Sequence, residues 1–142
     1  MVDSKFFEYI SLSQVIPSQL FLNKDKLKAV QSKYIDTKGE LNFSYFEPVP
    51  IKKRHGKVFF TDGHHRAFLA YQLGYQTIPI EWDTDDLDWE LYDICVQWCE
   101  ESKISWIGDL ASRILSTPDY EILWIKRCEN MHREIIDKQK TT

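Results

Sequence analysis

Five consecutive residues concentrate this chain's ionisable chemistry: Asp62, Gly63, His64, His65 and Arg66. Apolar segments flank them, "KVFF" before and "AFLAYQLG" after. Asp62 can take a proton. The histidines can give or take one near neutrality, and the arginine fork matches a phosphate or carboxylate. Three readings compete. Asp62, His64 and His65 are metal-ligand types, but adjacent residues at a helix start point apart and no third ligand group stands at a familiar spacing. Arg66 can instead pair with Asp62 while one histidine serves as a structural residue. The third reading is a site for an anion, and the surrounding elements favour it.

The segment "PVPIKKRHGKVFFTD" reads as a hairpin, with strand Val49–Lys53 turning at His55-Gly56 into strand Lys57–Thr61. A helix over Gly63–Leu73 follows at once, with Asp62 placed to cap it and Gly74 placed to stop it. A helix start offers unpaired N–H groups and about half a positive charge. His64, His65 and Arg66 in that first turn have the wrong sign for the position. A visiting phosphate resolves the conflict, because it satisfies the N–H groups, the dipole and the arginine together. Gly63 would let it approach the backbone.

Other elements support that joint. Residues 6–16 read as a first strand, ended by Pro17. Asn23 is placed to cap a helix carrying Leu27, Val30 and Tyr34 on one face. Residues 36–47 read as a loop turning at Gly39, and "TIPIEW" as a strand. Strand, turn, helix and strand within Lys57–Trp82 have the size of a βαβ unit. Beyond Asp83 the pattern becomes helical. One helix repeats apolar residues at 87, 91, 94, 95 and 98. A second spans "SWIGDLASRIL" with Ser105 as cap. A third has Thr117 as cap, Pro118 at its first position and a buried stripe of Tyr120, Trp124, Cys128, Met131 and Ile135. The expected architecture is α+β: a mixed sheet with helices over residues 1–82, covered by a helical extension over 83–142.

The chain has 142 residues, 43% of them hydrophobic and 28% charged, a globular composition. No apolar run has the length of a membrane span, and the opening "MVDSKFFEYI" is too polar for a signal peptide. Three cysteines, Cys95, Cys99 and Cys128, fit reduced thiols in the cytoplasm better than a disulfide framework. The net charge of −4 disfavours DNA as a broad partner. It is unevenly spread: residues 1–79 hold 11 Lys and Arg against 7 Asp and Glu, residues 80–142 hold 7 against 15. The acidic run Glu81–Asp93 reads as a solvated helix start, with a share in holding Mg²⁺ beside a nucleotide as the alternative. "KKRH" at Lys52–His55 reads equally as a phosphate surface or a charged hairpin tip.

The string "VFFTDGHHRAFLAYQLGYQTIPI", with "ISLSQVIPSQLFLNKDKL" before it, resembles the ParB/sulfiredoxin superfamily over about residues 8–82. The resemblance implies that Gly63 and Arg66 form a phosphate clamp for a nucleotide (ADP, ATP or CTP), with His64 and His65 inside it. Sulfiredoxins carry a catalytic cysteine where this chain has His64, so sulfinic-acid repair is not expected. Nucleotide-binding ParB proteins carry a further arginine where Phe68 stands. The Asp-Gly-His-His-Arg string is most similar to that of ADP-dependent free serine kinases, whose acidic base follows the first strand. Here that place reads Pro17-Ser18-Gln19. The kinase-like expectation gives Asp62 the acceptor's proton, His64 and His65 the transferring oxygens, and Arg66 the phosphate. The rival expectation is a non-catalytic ParB-like module that contacts DNA or a protein.

Overall fold

The computed structural model describes residues 8–140, and its architecture is α+β. In chain order the elements are β1 (Glu8–Ser11), β2 (Val15–Ile16), β3 (Leu22–Asn23), α1 (Lys24–Tyr34), β4 (Val49–Arg54), β5 (Lys57–Phe60), α2 (His64–Gln72) and β6 (Thr77–Trp82). There follow α3 (Trp89–Glu101), β7 (Ile114–Leu115), α4 (Thr117–Tyr120), a π turn (Glu121–Ile125) and α5 (Lys126–Lys140). A five-stranded mixed sheet has the order β1-β6-β4-β5-β2, and β3 pairs with β7 in a separate two-stranded sheet.

The single strand expected over residues 6–16 is two strands, with residues 6 and 7 outside the described range. A 3₁₀ turn, Leu12–Gln14, separates β1 from β2, and the two lie at opposite edges of the sheet. Crossing a flat five-stranded sheet would span four gaps of roughly 4.8 Å each. The short connector reaches only about 14 Å. The sheet therefore curls, bringing its edges toward each other, and buried Leu12 fastens the connector into the core.

The β4–β5 hairpin forms as expected, with Ile51 opposite Phe60 and Arg54 opposite Lys57. His55 and Gly56 both have positive φ, 55° and 77°, as a two-residue primed turn demands. The βαβ expectation is corrected. β6 pairs in parallel with β4, which lies between β5 and β6, so β5 and β6 run oppositely and are not neighbours.

The helix expected over residues 105–115 is also corrected. Only a 3₁₀ turn, Ile107–Leu110, forms there, and Ile114 and Leu115 become β7 against Leu22 and Asn23. Ser105 does not cap a helix; its N–H and hydroxyl both donate to Asp109 Oδ2, at 2.8 and 3.1 Å. The spacing of Ile107, Leu110 and Ile114 imitates a helical face, but β3 supplies a backbone partner that overrides it. Ser116, not Thr117, caps α4 by accepting from the Asp119 N–H. The stripe beyond it is placed as expected: Tyr120, Trp124, Met131 and Ile135 are buried and Cys128 partly so.

One hydrophobic cluster joins both halves, from Leu22, Phe60 and Phe68 to Cys95, Ile107 and Trp124. The charge asymmetry is partly internal. Arg54 pairs with Asp93 at 2.9 Å and Lys57 with Glu100 at 3.1 Å, so the basic hairpin docks on acidic α3. Arg54 also lies 4.2 Å from the centre of the Trp89 ring. Among the described residues, no helix is long and apolar enough to cross a membrane.

Candidate functional site

Helix α2 begins at His64, with Gly63 as its N-cap in the left-handed conformation at φ 74°. Asp62 does not cap it; its carboxylate accepts from the adjacent Gly63 N–H at 2.7 Å. Among the described residues, no side chain caps this helix start. Its first-turn N–H groups thus lack the side-chain acceptor that Asn23 supplies to α1, whose Oδ1 takes the N–H of both Asp25 and Lys26.

Arg66 folds back over its own helix start. A Cβ on Gly63 would lie 2.7 Å from Arg66 Nη2 and 3.2 Å from Nε. Gly63 is therefore required twice, by its backbone angle and by the guanidinium above it. Arg66 Nη1 donates to the main-chain oxygens of Glu47 (3.1 Å) and Pro48 (3.4 Å). This fixes the fork with one edge toward the chain and only 14% of the side chain exposed.

The histidines behave differently from the sequence expectation. His64 is buried and its Nε2 accepts the Ser18 N–H at 2.9 Å. His65 Nε2 accepts the Asn23 N–H at 2.9 Å. Burial pushes His64 down to about 3; burial first, then the charge of Lys26, pushes His65 down to about 4. Both rings are neutral near pH 7, with Nε2 engaged and the proton on Nδ1. They pin the segment between β2 and α1 to the start of α2. The surplus positive charge expected there reduces to Arg66 alone.

A cleft of about 370 Å³ opens at this helix start. Asp62, Gly63, His64, His65 and Arg66 all line it, so the structure brings the whole expected set together. It adds residues that sequence reasoning missed. Helix α1 contributes Lys26, Ala29, Val30 and Lys33, at the spacing of one helical face. The loop before β4 contributes Glu47, and α4 contributes Tyr120, whose hydroxyl accepts from Gln19 at 3.1 Å. Lys26 lies over the Tyr120 ring at 5.5 Å. The Lys26–Lys33 periodicity is visible in the sequence, but it looks like any solvated helix face. Glu47 carries no local signal.

A second cleft, of about 310 Å³, is lined by Pro50, Asp62, Glu81, Trp82, Asp83, Thr84 and Asp85. Asp62 borders both clefts. Asp83 is held by the Thr61 hydroxyl at 2.6 Å and the Asp85 N–H at 2.8 Å, and the Thr61 bond is the main cause holding its carboxyl below the ordinary range. Asp88 caps α3, as the solvated-helix-start reading of this acidic run requires. Among the described residues, no group of three or more His, Cys, Asp or Glu is arranged to hold a metal ion.

No family model and no curated protein matches this chain. Among solved structures, it is similar to protein Atu1540 from Agrobacterium tumefaciens, at 11% identity and a TM-score of 0.42, over 71% of this chain and 50% of that one. It is also similar to a conserved hypothetical protein from Pyrococcus furiosus, at 20% identity and a TM-score of 0.38, over 60% of this chain and 36% of that one. The chain spans half or less of the length of either.

Proposed function

We propose that the cleft at the start of α2 binds a phosphate-bearing small molecule, with a nucleotide as the first choice. One observation carries this reading. Arg66 is held over a helix start that no side chain caps, with Nη1 tied to main-chain oxygens and Nε and Nη2 stacked over Gly63. An anion there meets free N–H groups, the helix dipole and a pre-set guanidinium at once. Lys26 and Lys33 add positive charge to the same cleft. The resemblance to the ParB/sulfiredoxin superfamily gives the same clamp to Gly63 and Arg66.

The roles of the histidines change within this reading. With Nε2 of each accepting a backbone N–H, they can offer a bound oxygen only Nδ1–H, as neutral donors. They act first by holding the Ser18–Asn23 segment and α1 against the clamp.

Phosphoryl transfer is a second reading, supported by the position of Asp62 on the border of the two clefts. In that reaction an acceptor hydroxyl oxygen bonds phosphorus while the nucleotide's bridging oxygen leaves with its electron pair. Asp62 receives the hydroxyl proton. Mg²⁺ would enter with the nucleotide.

Calorimetry with ADP, ATP and CTP, with and without Mg²⁺, tests the proposal on wild type and Arg66→Ala. Binding by wild type that falls at least about ten-fold in Arg66→Ala is the expected result, since a charge-assisted contact contributes roughly 1.5–3 kcal/mol. Lack of binding by all three nucleotides would overturn it. Unchanged binding in Arg66→Ala would move the site elsewhere. A salt-dependent shift of DNA without nucleotide binding would favour the ParB-like interaction module instead.

A further inference from the structure

The cations of the proposed phosphate cleft are not idle. Glu47 Oε1 accepts from Lys33 Nζ and from the Tyr34 hydroxyl, each at 3.0 Å. Its other oxygen, Oε2, lies 4.0 Å from Arg66 Nη1. One carboxylate thus reaches toward cations from two helices, Lys33 of α1 and Arg66 of α2. Its own main-chain oxygen anchors the same Arg66 nitrogen at 3.1 Å.

We propose that the Glu47 carboxylate is the resident counter-anion of this cleft, displaced from Lys33 and Arg66 when a phosphate compound binds. The inference rests on the phosphate reading above and adds its regulation. Three features of Glu47 fit the role. Its side chain is 61% exposed and that of Lys33 60%, so both can swing at the surface. The Arg66 fork is fixed by main-chain oxygens rather than by the carboxylate, so releasing the carboxylate leaves the clamp in place. The carboxylate is held by hydrogen bonds and nearby positive charge, the kind of environment a phosphate group would also seek.

The consequence is selection by charge. A ligand must outcompete one negative charge already in place, so a diphosphate gains more from the exchange than a singly charged carboxylate. Glu47→Gln removes the competing charge and leaves an amide that can still face Tyr34.

The test is a titration of inorganic pyrophosphate, without divalent cations, into wild type, Glu47→Gln, Arg66→Ala, Lys33→Met and the Glu47→Gln/Lys33→Met double variant. Glu47→Gln is expected to bind about two- to five-fold more tightly, the scale of an exposed charge pair. The gain should shrink in the Lys33→Met background, because Lys33 is the cation set free. Equal or weaker binding by Glu47→Gln, with binding still weakened in Arg66→Ala, would overturn the role of Glu47 and leave the phosphate reading standing. A gain that persists undiminished without Lys33 would also overturn it. Failure of both wild type and Glu47→Gln to bind would overturn the two together.

Discussion

The two histidines make folding stability depend on pH in a way that can be worked out. His64 and His65 ordinarily titrate near 6.5, and the fold pushes them down to about 3 and about 4. The unfolded chain therefore binds more protons than the folded one between those limits. Stability rises with pH wherever that holds, so it is fully present above about 6.5 and is lost as pH falls toward the folded-state values. Between pH 7 and pH 5 one such histidine accounts for about 2 kcal/mol, and both together for up to about 4, less whatever solvent reaches the more open His65. Glu47 and Asp83, whose carboxyls are held low, add a smaller loss of the same sign that begins only at the acid end of this window. Urea unfolding at half-unit steps from pH 7.5 to 5 measures the slope. His64→Gln keeps an oxygen to accept the Ser18 N–H but removes the titration, so about half the slope should vanish. An unchanged slope in His64→Gln would refute the claim that buried, neutral His64 is what acid attacks.

Two glycines give further tests. Gly63→Ala forces a Cβ to φ 74° and to within 2.7 Å of Arg66 Nη2. A loss of about 1–2 kcal/mol from the left-handed backbone is expected in denaturant unfolding, together with weakened pyrophosphate binding as Arg66 is pushed off the helix start. Wild-type stability in that variant would show that the helix start is not built as described. Gly108 lies against the Trp106 ring, where a Cβ would fall 2.4 Å from Cζ2. Because Trp106 is itself fixed edge-on to Tyr71 at 5.2 Å, Gly108→Ala should cost about 1–3 kcal/mol and lower the Tm. The double variant with Trp106→Leu should lose less than the two single losses added together.

What was legible in the sequence was local. The His55-Gly56 turn needs two positive φ angles, and the residue types announce it. Asn23 announces a helix start in the same way. The string Asp62–Arg66 announced a helix start, and all five residues do line one cleft. What was not legible depends on partners far along the chain. β7 exists because Leu22 and Asn23 stand beside it, and two residues leave no pattern strong enough to oppose an apparent helical spacing. The break of the first strand depends on a connector that must join opposite sheet edges, which no periodicity within residues 8–16 records.

The histidines are the sharpest case of that division. Their types and position suggested cations drawn to an anion, a charge argument made from four neighbouring residues. The acceptors' true partners are the N–H groups of Ser18 and Asn23, 46 and 42 residues away. Those bonds use the nitrogen lone pairs, burial removes the charge, and the argument for an anion passes to Arg66. It survives the transfer because Arg66 is placed by two main-chain oxygens and by the absent side chain of Gly63, none of which needs a histidine to be charged. The same geometry separates two roles within one motif. Acid below pH 6 should loosen the fold through His64 and His65, whereas loss of Arg66 should weaken ligand binding at least about ten-fold and leave the acid slope intact. A variant Arg66→Ala that altered the slope as much as His64→Gln does would join the two roles again and undo this division.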